Sequence, residues 1–136
     1  MKTAPINITY QGDLKCDVEH IPSTTRLRTT ASDELGGQEK SLSPVDLLVA
    51  AVGSSVLSTM AVAAEKRELD IAGAKVQVDK QLANGCIDGI NFRVIVPKRL
   101  LPDDKEFLEE SARTCPCCGN LHPDIDTSVS FTYVGA

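Results

Sequence analysis

The stretch that decides the fold is SPVDLLVAAVGSSVLSTMAVAA, residues 43–64. It begins as helices commonly begin, with Ser43 as the N-cap, Pro44 at the first helical position and Asp46 in the first turn. Residues 47–64 carry no charge, so the predicted helix is apolar on every face and must be covered on every face. Because few other elements remain in a chain of 136 residues, we expect a second subunit to help bury this helix.

The uncharged part of this segment has 18 residues, which is within the length range of a membrane span. Its composition is that of a core helix, because it is rich in alanine and diluted by small and polar residues. These are Gly53, Ser54, Ser55, Ser58 and Thr59. Charged residues flank the segment on both sides, and no aromatic belt is present. We therefore predict a soluble protein with no membrane partner.

Alternation of apolar and polar residues predicts β-strands on both sides of the helix. The strands are expected over residues 5–10, 14–20, 24–30, 74–83, 90–96 and 125–134. The first helix is expected to run to about Leu69, and a second helix opens at Pro102. The inward stripe of that second helix consists of Phe107, Leu108, Ser111, Ala112 and Cys115. The order βββ-α-ββ-α-β predicts one α+β domain over residues 1–136, with mostly antiparallel strands.

Composition and charge exclude several classes of function. The net charge of −5, without any long run of lysine or arginine, argues against a nucleic-acid partner. With 3 Phe, 2 Tyr and no Trp, surfaces that stack bases are not expected. Lys2 is followed by a polar alternating stretch rather than an apolar one, so no signal peptide is predicted. Five cysteines, an odd number, then indicate a reducing compartment, and we expect a cytoplasmic protein.

The cysteines are unevenly distributed along the chain. Cys115, Cys117 and Cys118 lie within four residues, whereas the two others stand alone. Cys115 and Cys118 form a Cys-x-x-Cys pair, which is a spacing found in redox-active dithiols. Because the pair follows the C-terminus of a predicted helix, the helix dipole raises the pKa of its thiols. Activation of the pair is therefore expected to come from elsewhere, such as Arg113 or Arg28.

Two other interpretations of this cluster remain open. Cys115, Cys118 and His122 have the ligand types of a zinc site, with Cys117 or a group from a partner chain as the fourth ligand. The spacing is not that of a standard zinc finger. Alternatively, Cys115 is a core residue, and Cys117 and Cys118 are unreactive thiols in a loop.

Three stretches of the chain carry a family resemblance. They are Glu34-Leu35-Gly36-Gly37 leading into Ser43-Pro44-Val45-Asp46-Leu47-Leu48, then Ala50-Ala51-Val52-Gly53-Ser54-Ser55, and finally Cys115-Pro116. In this order and spacing they resemble the OsmC/Ohr family of thiol-dependent hydroperoxide reductases. The resemblance implies an intertwined homodimer, with long central helices packed between antiparallel sheets built from both chains. It also implies a cycle in which a peroxidatic cysteine reduces an organic hydroperoxide and a resolving cysteine closes a disulfide.

The chain departs from the family pattern at the residue that begins this cycle. Ser55 occupies the position of the peroxidatic cysteine, and a serine hydroxyl has no sulfenic state, so the standard two-cysteine cycle is absent. Cys115 occupies the resolving position. Val45 replaces the carboxylate that often follows the proline, although Asp46, one residue later, matches a related branch of the family. Arg28 is the candidate for the arginine that orients the first thiol.

The leading hypothesis is a thiol redox protein related to organic hydroperoxide reductases, with a role in the oxidative stress response. Any thiol chemistry is then expected at Cys115, Cys117 and Cys118, and an active enzyme is expected to be a thiol-dependent peroxidase. One alternative is a non-catalytic homodimer that binds a small organic hydroperoxide or thiol ligand, with Ser55 allowing close approach between helices. The other is the zinc-binding variant. No cofactor is expected.

Overall fold

The computed structural model describes residues 5–31 and 41–135, and the predicted loop that contains Glu34–Gly37 lies outside the described residues. The described elements are β1 (Ile6–Gly12), β2 (Lys15–His20), β3 (Thr25–Thr30), α1 (Pro44–Lys66), β4 (Lys75–Ala83), β5 (Cys86–Val96), α2 (Pro102–Arg113) and β6 (Asp126–Tyr133). A short 3-10 turn, Cys118–Asn120, lies between α2 and β6. This is the βββ-α-ββ-α-β order, so the predicted α+β fold class is confirmed.

The chain forms two compact units, Met1–Leu48 and Val49–Ala136, and α1 begins in the first and continues in the second. In the first unit, β1, β2 and β3 form an antiparallel meander. The turn between β1 and β2 places Gly12 at a φ of 90°, a conformation that glycine adopts without a steric penalty. The register of β2 and β3 sets Asp17 opposite Arg28, which brings two opposite charges together.

The second unit contains a sheet in the order β4-β5-β6. β4 and β5 pair antiparallel, whereas β5 and β6 pair parallel, so the strands are mostly antiparallel, as predicted, and this last pair is the exception to the antiparallel sheets that the resemblance implies. The reason is the connection between them. Because α2 lies between β5 and β6, the chain crosses over and returns to the end of the sheet at which β5 begins. β6 therefore runs in the same direction as β5.

The start of α1 has the capping arrangement that the sequence predicts. The hydroxyl of Ser43 accepts the N–H of Asp46 at 3.0 Å, and the carboxylate of Asp46 accepts the N–H of Ser43 at 3.1 Å. Such a reciprocal pair satisfies donors that the first helical turn would otherwise leave unpaired. Asp46 therefore stabilises the beginning of the central helix.

α1 is only partly covered within one chain. Its buried residues are Val49, Val52, Gly53, Val56, Met60, Ala63 and Ala64. Its exposed residues include Leu48, Ala51, Ser54, Ser58, Ala61 and Val62. In the described part of the chain, α1 is the one helix that is long and apolar enough to cross a membrane, by length and composition alone. The core helix of a soluble protein passes the same test, and 39% of the apolar window of α1 is buried within one chain.

α2 places its predicted apolar stripe against the core of the second unit. Leu108 is fully buried, and Ala112 and Cys115 are each 2% exposed. Phe107 and Ser111 are half-buried at the edge of the same stripe. The inward face of α2 is therefore confirmed, and it carries the cysteine cluster to the side of α1.

Candidate functional site

Ser55 and the cysteine cluster lie next to each other, although 62 residues separate Ser55 from Cys117. Ser55 is half-buried near the middle of α1, and its hydroxyl oxygen accepts the backbone N–H of Cys117 at 3.5 Å. The distance is at the long end for a hydrogen bond. The structure thus brings together Ser55 and the cysteine cluster, the two parts of the chain at which the sequence predicts chemistry.

Cys115 and Cys118 are joined by a disulfide, with their Cα atoms 5.4 Å apart. The tight turn that follows α2 explains how they meet. The carbonyl of Cys115 accepts the N–H of Cys118 at 3.1 Å and that of Gly119 at 3.4 Å, which folds the chain back onto Cys115. Of the three interpretations of the cluster, the bonded Cys-x-x-Cys pair is the one that this geometry supports.

The two sulfur-bearing residues of the disulfide differ in their surroundings. Cys115 is 2% exposed and belongs to a core cluster with Leu108 and Ala112. Cys118 is half-buried and borders this cluster and a second one built around Phe92. The N–H of Cys118 also donates to Sγ of Cys115 at 3.2 Å. The pair therefore has an inner and an outer residue.

Cys117 lies between the bonded cysteines in sequence but takes no part in the bond. Its thiol is free and the residue is half-buried against the second cluster, which contains Val49, Val52, Ile90 and Phe92. Its backbone is held by Ser55 through the N–H described above. A substitution of the Cys117 side chain therefore leaves that backbone hydrogen bond in place.

A groove of about 510 Å³ runs beside the site between α1 and α2. Its lining residues are Ser55, Ser58, Thr59, Val62, Ala63, Lys66, Phe107, Ser111, Thr114 and Pro116. Half of these side chains bear a hydroxyl group, and Lys66 is the charged one. The groove suits a small ligand with both apolar and hydrogen-bonding parts.

The sequence indicates part of this groove only in retrospect. Ser55, Thr59, Val62 and Lys66 follow one another at the three- and four-residue spacing that places side chains on one helix face. The contact between Ser55 and the N–H of Cys117 has no local signal, because it depends on how α2 packs against α1. Only the family resemblance pointed to one common site for both.

Arg28 makes an ion pair within the first unit. Its Nε lies 2.8 Å from the carboxylate of Asp17 on the neighbouring strand. The hydrogen bond from Arg28 lowers the pKa of the Asp17 carboxyl, and Asp17 in turn raises the pKa of the Arg28 guanidinium. Arg28 is exposed, and its role toward a thiol stays a prediction.

Arg113, the other candidate for activating the thiols, is engaged elsewhere. Its guanidinium lies 5.6 Å from the centroid of the Phe131 ring and 4.0 Å from the carboxylate of Glu109. The donor that does contact a sulfur of the pair is the N–H of Cys118. The structure therefore does not support activation of the pair by Arg113.

The described residues of one chain do not form the predicted zinc site. Within residues 5–31 and 41–135, no group of three or more His, Cys, Asp and Glu side chains is arranged to hold a metal ion. Cys115 and Cys118 bond to each other, and a disulfide sulfur has no thiolate to offer a metal. His122 is exposed, and its Nδ1 accepts the N–H of Asp124 at 3.0 Å. This arrangement does not support the zinc interpretation, which stays a prediction.

Comparison with known proteins identifies the family. The family model described as OsmC-like protein matches residues 37–130, so the chain belongs to the OsmC-like family. No curated protein matches the chain at a significant level. The family prediction is therefore confirmed by the match to the family model.

Several solved structures share the fold over nearly the whole chain. A Psychrobacter arcticus protein named for osmotic stress induction and a detoxification response is 28% identical, with a TM-score of 0.89, over 96% of this chain and 97% of that one. An OsmC-like protein from Mycoplasma pneumoniae is 16% identical, with a TM-score of 0.81, over 98% of each chain. An organic hydroperoxide resistance protein from Legionella pneumophila is 13% identical, with a TM-score of 0.73, over 97% and 98%.

Proposed function

We propose that this chain is a thiol redox protein of the OsmC/Ohr type whose chemistry takes place at Cys115 and Cys118. The observation that carries the proposal is the disulfide between these two residues, formed beside Ser55 at the position where the family resemblance places peroxide chemistry. The general redox and stress role is the one that hydroperoxide resistance proteins of the same fold are named for.

The proposed cycle requires no reaction at Ser55. In the reduced protein one thiolate of the pair attacks an organic hydroperoxide, which breaks the O–O bond, forms a sulfenic acid and releases an alcohol. The second thiol then attacks the sulfenic sulfur, and water leaves as the disulfide forms. An external dithiol supplies the two electrons that restore both thiols. Cys117 is not required in either step.

The test is mass spectrometry of the reduced protein after one equivalent of cumene hydroperoxide. We expect rapid loss of two hydrogen atoms, mapped to the peptide that contains Cys115 and Cys118, together with consumption of the peroxide. Cys117→Ser is the matched control and should behave as the unchanged protein, whereas Cys115→Ser and Cys118→Ser should form no such bond. If the thiols stay reduced while the peroxide persists, the proposal is wrong.

A second candidate function is ligand binding without catalysis, and the groove beside Ser55 favours it. The groove offers apolar surface from Val62 and Phe107 together with hydroxyl groups, which suits a small alcohol or thiol. Cumyl alcohol and N-acetylcysteine are suitable probes, the latter with the double variant Cys115→Ser and Cys118→Ser, which has no disulfide that a thiol could reduce. Either should raise the melting temperature of the protein, and Thr59→Phe, which fills the groove, should abolish the shift. No shift with either probe would exclude ligands of these two kinds.

We further propose a cytoplasmic homodimer, with no membrane or nucleic-acid partner. Exposed apolar side chains support the dimer, because a monomer leaves them in water. On α1 they include Val62, which is 56% exposed, and on β1 they include Ile6, Ile8 and Tyr10 at 58%, 66% and 63%. The last three alternate along β1 and so share one face.

A further inference from the structure

We propose that Cys118 is the residue whose sulfur reacts with external thiols and that Cys115 provides the buried leaving sulfur. This inference rests on the proposed function and deepens it, because it gives the disulfide a fixed direction of opening. The external reactant is a small-molecule thiol. Two observations carry the inference: the unequal burial of the two residues and the hydrogen bond to the sulfur of Cys115.

Burial limits the direction of attack. A thiolate attacks a disulfide in line with the S–S bond, from the side opposite to the sulfur that leaves. Attack on Cys118 therefore approaches from the side away from Cys115, and Cys118 retains exposed surface. Attack on Cys115 requires an approach through its own surroundings, where Leu108 and Ala112 are 0% and 2% exposed.

The hydrogen bond favours the same direction. The sulfur that leaves departs as a thiolate, and a donor directed at it stabilises that negative charge. The N–H of Cys118 donates to Sγ of Cys115 at 3.2 Å, so the donor is already in place before the bond opens. The apolar surroundings of Cys115 oppose the charge, and the thiolate is therefore expected to take up a proton after it leaves.

The exchange proceeds in two balanced steps. A thiolate RS⁻ bonds to Sγ of Cys118 and breaks the S–S bond, which gives a mixed disulfide and the thiolate of Cys115. A second RS⁻ then attacks the R sulfur of the mixed disulfide, which gives RSSR and the thiolate of Cys118. Two thiols of the reactant are oxidised, and one protein disulfide is reduced.

The inference is tested first on the unchanged protein, so that no variant has to fold. The oxidised protein is mixed with β-mercaptoethanol, quenched in acid, alkylated, and mapped by peptide mass spectrometry. We expect the adduct on Cys118 and the alkyl group on Cys115. An adduct found mainly on Cys115 overturns the direction of opening but leaves the redox function standing. A disulfide that opens only after denaturation overturns both.

Two variants give an independent measurement. Cys115→Ser leaves the thiol of Cys118, and Cys118→Ser leaves the thiol of Cys115, each with Cys117→Ser as the common background. With glutathione disulfide we expect the mixed disulfide on Cys118 to form at least about tenfold faster than that on Cys115. Equal rates, or faster reaction at Cys115, would contradict the inference. Circular dichroism should show the same fold for both variants.

Discussion

The family resemblance places the peroxidatic cysteine at the position of Ser55, whose side chain differs from that of cysteine by oxygen in place of sulfur, and only sulfur can form a sulfenic acid. We predict that Ser55→Cys gains organic hydroperoxide reduction, at least about tenfold above the unchanged protein, because the N–H of Cys117 donates to the new sulfur and lowers the pKa of its thiol. The measurement is the rate at which cumene hydroperoxide is consumed in the presence of a dithiol.

Ser58→Cys is the matched control for this gain. Ser58 lines the same groove one turn further along α1, and it is exposed, whereas Ser55 contacts the N–H of Cys117. A cysteine at position 58 lacks this donor and should therefore react at the rate of a thiol that is not activated. If the two variants consume peroxide equally fast, the contact with Cys117 has no part in activation.

The ion pair of Asp17 and Arg28 gives a prediction on pH. The hydrogen bond from Arg28, together with its charge, holds the pKa of the Asp17 carboxyl below the ordinary value of 3.8. A carboxyl with a lowered pKa contributes stability above that ordinary value, and the contribution is lost as the pH falls through the lowered pKa of the folded state. Because both side chains reach solvent, we expect the effect on unfolding to be small.

The measurement is an NMR titration of the Asp17 carboxyl in the unchanged protein and in Arg28→Gln. We expect the pKa of Asp17 to rise toward its ordinary value in the variant, because the charged donor is removed. Arg26→Gln is a suitable comparison, since Arg26 pairs with Glu19 and affects Asp17 only weakly through its charge. An Asp17 pKa unchanged by Arg28→Gln would show that the pair does not persist in solution.

At the scale of the elements, the packing of α1 on β4 depends on one glycine. A Cβ atom at Gly53 would lie 2.9 Å from Cγ2 of Val78 and 3.4 Å from Cγ1 of Val76. We predict that Gly53→Ala lowers the free energy of unfolding by about 1–3 kcal/mol, because either the Val78 side chain or the helix must shift to relieve this contact. The intrinsic preference of helices for alanine, about 1 kcal/mol, opposes this loss only in part.

Ser54→Ala is the control for this prediction, since Ser54 is the next residue of α1 and is exposed. Its substitution should leave the stability unchanged or raise it by up to about 0.5 kcal/mol through helix propensity. Both variants are compared by denaturant unfolding of the oxidised protein. If Gly53→Ala is as stable as Ser54→Ala, the helix and the sheet are not in close contact at this point.

Local sequence patterns predicted the helices and strands well. They gave no information on how elements that are distant in the sequence pair or pack. The start of α1 was predictable because Ser43 and Asp46 act within a single turn. The parallel pairing of β5 and β6 was not, since strand direction is set by the crossover through α2 and leaves no local pattern. The disulfide was among the predicted alternatives, whereas the contact of Ser55 with Cys117 requires the packing of two helices.

At the scale of the whole molecule, the exposed apolar residues of α1 require an explanation that one chain does not supply. A helix that is apolar on every face is stable in water only when every face is covered. Val62 is 56% exposed, and Leu48 is 47% exposed. A second copy of the chain is the proposed cover, and the site beside Ser55 lies on the same helix.

We therefore predict that the protein is a dimer in solution and that Val62→Glu weakens the dimer by at least about tenfold, because burying a carboxylate is costly even when Lys66, one turn further along α1, can pair with it. Sedimentation equilibrium measures the dissociation constant, and circular dichroism checks that the fold is kept. Val134→Glu is the matched control, because Val134 follows β6 and is similarly exposed at 53%. If both substitutions weaken the dimer equally, or if Val62→Glu has no effect, α1 is not the surface that the second copy covers.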